Sequence, residues 1–150
     1  MKKCVLVSAC LLGVPCRYDG ASKPDDRVAE LKENYELIPF CPEVEGGLST
    51  PRIPCERQGG RVIRRDGANE TEAYRRGASL CLSAVREKEC AFAVLKEKSP
   101  SCGVNFIYDG SFTGKLIRGC GVTAELLRKN GINVYSEEDT DKIEKKQNGC

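Results

Sequence analysis

Val5-Leu6-Val7, followed directly by Ser8-Ala9-Cys10, is the stretch that decides the fold, because the same arrangement recurs twice further along. Leu37-Ile38-Pro39-Phe40 runs into Cys41, and Ala91-Phe92-Ala93-Val94-Leu95 leads to Cys102 a few residues later. Short apolar runs bounded by turn-forming residues are predicted as buried strands. If the three strands are parallel neighbours, their cysteines meet at one edge of the sheet. Ligands of open α/β sheets bind at that edge, beyond the carboxyl ends of the strands.

The intervening segments supply the helices. Past the first strand, Gly13, Pro15, Asp19 and Gly20 predict a loop, and Val28, Ala29 and Leu31 a short helix. The second strand, near Glu36 to Phe40, enters residues 41–48, whose proline and glycines predict no regular helix; Pro51 and Pro54 then keep the chain extended. Arg61-Val62-Ile63-Arg64-Arg65, between glycine turns, predicts a small exposed hairpin or strand whose arginines form a solvated face. From Glu70 to Glu89, apolar positions at steps of three and four predict the longest helix, with Cys81 on its core stripe. After the third strand comes a loop through Ser99-Pro100, then Phe106 to Gly114, and then a helix opening near Thr123 and closing at Asn130-Gly131. A strand at Ile132–Tyr135 and a charged tail from Glu137 to Lys146, helical or mobile, complete the pattern. The fold class is therefore α/β: one domain over residues 1–150, a small, mostly parallel sheet flanked by helices in a Rossmann-like three-layer arrangement.

Charge and composition exclude several functions. The 24 basic and 22 acidic residues leave a net charge of +2 and no basic stripe, which argues against nucleic acid and anionic membranes as partners. The first apolar stretch is too short for a secretory signal or a membrane span. A cytoplasmic location is expected, where thiols stay reduced and ten cysteines serve as ligands, nucleophiles or buried residues rather than disulfides. The sequence contains no histidine, which rules out imidazole bases, Cys-His and Ser-His-Asp chemistry, and histidine-ligated zinc.

Cys10 and Cys16, with five residues between them, match no C-x2-C signature, so spacing alone leaves metal ligands and buried thiols equally open. Chain geography favours ligands: thiolates from three strand ends, Cys10, Cys41 and Cys102, can surround an iron–sulfur cluster and leave one iron free for substrate. Glu43, two residues beyond Cys41, is a candidate general acid or base, or else a turn cap or the ionic partner of Arg52. Ser101, beside Cys102, is a candidate for positioning or protonating a substrate. Asp19, Lys23 and Asp109 are candidates for orienting it. Gly119-Cys120-Gly121 before a helix is a weak anion-site signal. Cys4, Cys55, Cys81, Cys90, Cys120 and Cys150 are expected to be bystanders, Cys55 standing nearest the site.

The motifs Ser8-Ala9-Cys10-Leu11-Leu12-Gly13, Cys16-Arg17-Tyr18-Asp19-Gly20, Cys41-Pro42-Glu43-Val44, Gly46-Gly47-Leu48, Pro51-Arg52 and Ser99-Pro100-Ser101-Cys102-Gly103 resemble the 2-thiouracil desulfurase family. The likeness continues through Tyr108-Asp109-Gly110, Phe112-Thr113-Gly114 and Gly119 to Leu127. It implies an oxygen-sensitive [4Fe-4S] cluster held by three cysteines, for which chain geography picks Cys10, Cys41 and Cys102 although the family pattern also contains Cys16, with a small thiolated pyrimidine bound through sulfur to the fourth iron. The implied reaction is hydrolytic, C=S becoming C=O with release of sulfide. In that scheme Glu43 activates water, Ser101 positions the substrate, and Cys16 is an alternative ligand or a thiol assisting sulfur transfer. Arg52, Asp19, Lys23 and Asp109 are the expected substrate-binding residues. Two other classes stay open: a cluster-free thiol protein that shuttles sulfur, and a structural or sensory metal module.

Overall fold

The computed structural model describes residues 2–143. Along the chain run β1 (Lys3–Ser8), α1 (Asp26–Ala29), β2 (Tyr35–Phe40), α2 (Pro42–Glu45), β3 (Cys55–Gln58), β4 (Arg61–Arg64), α3 (Thr71–Glu87), β5 (Phe92–Leu95), β6 (Phe106–Tyr108), β7 (Leu116–Arg118), α4 (Val122–Lys129) and β8 (Val134–Ser136). The main sheet has the order β2-β1-β5-β8, with every pair parallel. Val5 stands opposite Leu37 on one side and Phe92 on the other. β2 and β5 thus leave β1 in opposite directions, and the strand order reverses beside β1. The resulting crevice lies at the carboxyl ends of β1, β2 and β5.

Strand periodicity divides the core in two. Val5, Val7, Phe92 and Val94 pack with Val28, Leu31 and Ile143 on one face. Leu6, Ala93 and Leu95 pack with Cys81 and Val85 of α3 and Ala124 and Leu127 of α4 on the other. Alternate residues point to opposite faces of a strand, so a sheet covered on both sides forms the middle of three layers. Pro39 is tolerated because β2 is an edge strand, where a missing N–H breaks no ladder on the open side.

Several sequence expectations need correction. Residues 42–45 do form a turn of helix, because Pro42 occupies the first turn, where its absent N–H is not needed. The Asp109 N–H donates to the Lys115 carbonyl at 2.9 Å, and the chain after Tyr108 folds back as the hairpin β6–β7, whose short second strand lacks an apolar pattern to announce it. The last strand lies at Val134–Ser136, a little beyond its predicted span. The charged tail begins with a 3-10 turn at Glu137–Asp139 closed by a capping box on Ser136; its residues from 144 onward fall outside the described residues.

The position of α2, and with it Cys41 at its N-cap, depends on close contact with α3. A Cβ on Gly77 would stand 1.9 Å from the Pro42 carbonyl oxygen, and one on Gly46 would stand 2.2 Å from the Ala73 carbonyl oxygen. Neither obstacle is a flexible side chain, so the helices themselves would have to separate. Gly77→Ala is expected to destabilise the protein by about 2–3 kcal/mol and to lower the melting temperature by roughly 5–10 °C. Thermal unfolding of the variant beside wild type checks this.

Candidate active site

Each strand-end cysteine is held by its own local device. After β1 the chain turns through Ala9–Leu12 and is stopped by Gly13, whose φ of 93° suits glycine. The Cys10 carbonyl accepts from Gly13 N–H at 3.3 Å and Lys23 N–H at 2.9 Å, which folds the loop carrying Cys16 back over the strand end. Cys41 caps α2. Cys102 lies on a loop organised by two acceptors. The buried Glu97 carboxylate, 2% exposed, accepts from the N–H groups of Val104, Asn105 and Phe106 at 2.7, 2.8 and 3.1 Å and from Asn105 Nδ2 at 3.0 Å. The Ser99 hydroxyl accepts from Ser101 and Cys102 N–H, each at 3.0 Å.

The same loop closes the open end of α4. Carbonyls of Gly103, Pro100 and Ser101 accept from the N–H groups of Gly121, Val122 and Thr123 at 2.8, 2.9 and 2.8 Å. A Cβ on Gly121 would stand 2.3 Å from the Ser101 carbonyl carbon. Gly121 therefore admits the cysteine loop, and the N–H groups of Gly119, Gly121, Val122 and Thr123 are already occupied, which argues against an anion site at Gly119-Cys120-Gly121.

Four thiols, Cys10, Cys16, Cys41 and Cys102, line one cavity of about 50 Å³ at the carboxyl edge of the sheet. The Cys16 thiol is raised above its usual range, chiefly by its hydrogen bond with Cys10. Cys41 is raised further, by its bond with Cys16 and then by burial. Burial pushes Cys102 up to about 12. These three are therefore neutral thiols at physiological pH, and metal ligation must expel their protons. Among the described residues no three His, Cys, Asp or Glu side chains crowd closely enough to hold a single metal ion. A zinc ion gathers its sulfurs at about 2.3 Å, whereas a cubane spreads its thiolates over separate irons. Soft donors from three strand ends, with no imidazole among them, fit an iron–sulfur cluster.

This cavity adjoins a larger one of about 400 Å³; Arg17, Glu43, Arg52, Lys96 and Ser99 belong to both walls. Tyr18, Tyr74, Tyr108 and Phe112 give the larger cavity an aromatic lining. Between the two, Glu43 and Arg52 form an ion pair whose side chains are 15% and 7% exposed. Arg52 also donates through Nη2 to the Cys16 carbonyl at 2.9 Å and through Nη1 to the Ser49 carbonyl and Thr50 Oγ1 at 3.0 and 3.1 Å. Its buried Nε–H has no partner among the described residues. The buried Tyr74 hydroxyl is raised far above its usual range by desolvation and then by the neighbouring Glu43 charge, so it is a neutral hydroxyl.

Of the residues singled out in the sequence, Cys10, Cys16, Cys41, Cys102, Glu43 and Arg52 are brought together. Ser101 is not on either cavity wall: it is wholly buried, its hydroxyl 2.8 Å from Thr123 Oγ1 on α4, with the Cys102 thiol 3.8 Å away. Asp19, Lys23 and Asp109 are also absent from both walls. Asp19 accepts from Ala21 N–H, the Lys23 backbone ties to Cys10, and Asp109 accepts from Ser111, so these residues build turns. Cys81 is a core thiol as expected, Cys55 reaches the larger cavity wall, and Cys150 lies outside the described residues. Sequence reasoning missed Ser99, Lys96, Tyr74 and Phe112. Only Ser99 carried a signal, its place in the turn that holds Cys102.

Strand-end thiols at the crevice of a parallel sheet, opening into an aromatic-lined cavity, define a thiolate-ligand site on a Rossmann-like scaffold. A family model described as 2-thiouracil desulfurase matches residues 5–139, and the chain belongs to that family. It is similar to the uncharacterized protein YbbK of Bacillus subtilis (strain 168), 40% identical over 149 residues, covering 93% of this chain and 99% of that one. Among solved structures it is similar to a [4Fe-4S]-dependent thiouracil desulfidase, TudS, with a TM-score of 0.93 and 44% identity over 99% of this chain and 100% of that one.

Glu97 gives the site a pH signature. Burial raises its pKa, but the N–H donors of Phe106, Asn105 and Val104 outweigh burial and hold it below the usual carboxylate range. A depressed folded-state pKa contributes stability that is complete above the unfolded value, about 4.3, and is lost as the pH falls through the lower folded value. Glu97→Gln is expected to lower the melting temperature at pH 7 and to flatten its decline below about pH 4.3. Melting curves of wild type and variant across that range check both effects.

Proposed function

We propose that this protein hydrolyses the C=S bond of a small thiolated pyrimidine of the 2-thiouracil type, yielding the oxo compound and sulfide with no net electron transfer. The observation that carries this reading is the junction of two cavities: a four-thiol chamber opens, past the Glu43–Arg52 pair, into an aromatic-lined space of about 400 Å³. Sulfur chemistry and ring recognition then occur in adjoining compartments. A [4Fe-4S] cluster held by Cys10, Cys41 and Cys102 supplies a Lewis-acidic iron that prefers soft sulfur to hard oxygen. Cys16, hydrogen-bonded with both Cys10 and Cys41, is an alternative ligand or a thiol that assists sulfur departure.

The chain's own residues move the protons and orient the ring. Water contributes the new oxygen, and its two protons leave with the sulfide, so the exchange balances as a hydrolysis. Glu43, standing at the cavity junction, takes the first proton from attacking water and passes it toward the departing sulfur. Arg52 fixes the direction of that carboxylate, and its unpartnered Nε–H is a donor for an oxygen or ring nitrogen of the substrate. Ser101 acts at one remove, holding Cys102 through the turn anchored on Thr123.

A cluster-free sulfur shuttle requires a thiol with a depressed pKa, and Cys16, Cys41 and Cys102 are all shifted upward. Neutral thiols and an oxygen-sensitive cofactor suit the reducing cytoplasm. Among the described residues no helix is long and apolar enough to cross a membrane. The partner on this reading is a small molecule rather than a nucleic acid.

Anaerobic reconstitution is expected to give about four irons per chain and sulfide release from 2-thiouracil, both impaired in Cys10→Ala. A folded wild-type protein that takes up no cluster overturns the reading. Because ligation expels thiol protons, iron retention against a fixed chelator concentration is expected to strengthen from pH 6.5 to 8.5. Visible absorption of the loaded protein follows it.

A further inference from the structure

Phe112 adopts φ of 59°, a left-handed conformation that side chains with a Cβ avoid and that persists only where the surroundings impose it. The surroundings here are specific. Glu56 of β3 accepts from Gly110 N–H at 2.9 Å and from Phe112 N–H at 3.1 Å, and Gln58 Nε2 donates to the Gly110 carbonyl at 2.8 Å. Gly110 is pressed against β3 so closely that a Cβ would stand 2.6 Å from Gln58 Cγ and 3.0 Å from the Arg57 carbonyl oxygen. The β3–β4 hairpin therefore grips the 109–114 turn by its backbone, and Phe112 is the residue this grip sets on the wall of the larger cavity. Arg65 on the same wall lies 5.8 Å from the Phe112 ring centroid, a cation–π contact that further fixes the ring.

Backbone strain at a cavity wall, enforced by a half-buried carboxylate on a neighbouring element, is a mark of a functional position. We propose that Phe112 is the aromatic contact for the pyrimidine ring of the substrate, and that Glu56 is the positioning residue that holds Phe112 in place for it. The inference rests on the desulfurase reading for its ligand class, a flat six-membered heteroaromatic ring. A ring face recognises such a ligand whatever atom it carries at the reacting carbon. Phe112 therefore governs affinity for substrate and oxo product alike and takes no part in breaking the C=S bond.

The test is steady-state desulfuration of 2-thiouracil by cluster-loaded protein, together with uracil binding by isothermal titration. Phe112→Ala is expected to raise KM at least about tenfold with kcat within about twofold of wild type, the signature of lost uniform binding. Uracil affinity falls in parallel. Phe112→Tyr, which keeps the ring, is expected to stay within about threefold of wild type on both readouts. Glu56→Ala, which releases the turn, moves KM in the same direction as Phe112→Ala, and Glu56→Gln, which retains an acceptor oxygen, restores it. Phe112→Leu substitutes for the alanine variant if that chain does not fold. Unchanged KM and uracil affinity in Phe112→Ala or Phe112→Leu, or a defect in Phe112→Tyr as large as in Phe112→Ala, overturns the proposal. Absence of sulfide release by the wild type is a failure of the desulfurase reading instead, and uracil affinities then still decide the role of Phe112; a wild type that binds no pyrimidine overturns both.

Discussion

Thiols from distant parts of a chain gather round one cavity only if the loops that carry them are fixed without regular secondary structure, and buried hydrogen bonds do that fixing here. A loop cut off from the sheet ladder must satisfy its backbone N–H groups elsewhere, since each buried and unpaired group costs about 1–3 kcal/mol. Glu97 collects three of them and Ser99 two more, while loop carbonyls close the first turn of α4. The Cys102 loop is thus a polar core element with the rigidity of a helix end. Its counterpart on the cavity's outer side, the 109–114 turn, is held by Glu56 in the same manner. Two buried or half-buried carboxylates, neither on the path of a reacting atom, set much of the site's shape.

The strands were legible because their chemistry is local. Valine, leucine and phenylalanine in short runs sort themselves onto the two faces of a sheet, and parallel pairing of β1, β2 and β5 brings Cys10, Cys41 and Cys102 to one edge. The long amphipathic helix was legible for the same reason, and Thr71–Glu87 fills nearly its predicted span. What escaped was long-range pairing. Nothing near Glu97 announces that its carboxylate will be enclosed by the backbone of residues 104–106, and nothing near Phe112 announces Glu56, 56 residues earlier. The exposed β7 has no alternation to read. Asp19 and Asp109 illustrate the converse: an aspartate before a glycine is equally suited to a turn and to a site, and only the cavity walls separate the two uses.

The family likeness and the physical reading meet at the thiols but differ in what they explain. Likeness to a [4Fe-4S]-dependent protein accounts for the cofactor expectation. It says nothing of how Arg52 is held: the chain commits it to Glu43, the Cys16 carbonyl and the Ser49–Thr50 turn, leaving one buried N–H without a partner among the described residues. An arginine so heavily engaged is a rigid fork, pre-organised for a planar acceptor, and little side-chain freedom remains to be lost on binding. The neutral Tyr74 beside Glu43 encloses the carboxylate from the α3 side. On the proposed reading, in a chain without histidine, one carboxylate with a fixed direction serves as the proton carrier at this junction.

Burial works on the thiols in opposition to their use. Desolvation raises Cys102 to about 12, and the hydrogen bond with Cys16 followed by desolvation raises Cys41 beyond the ordinary thiol range, so these two metal-free thiols are neutral and poor nucleophiles. The same desolvation favours ligation once the protons have gone, because a thiolate bound to a cation no longer stands as an isolated charge in a low-dielectric cavity. Ligand binding to the folded chain alone also stabilises it by mass action. The chamber's thiols are themselves members of the apolar clusters on either face of the sheet, Cys10 and Cys16 on one and Cys102 on the other. The upward shift of Cys16, Cys41 and Cys102 keeps those thiols neutral until ligation expels their protons.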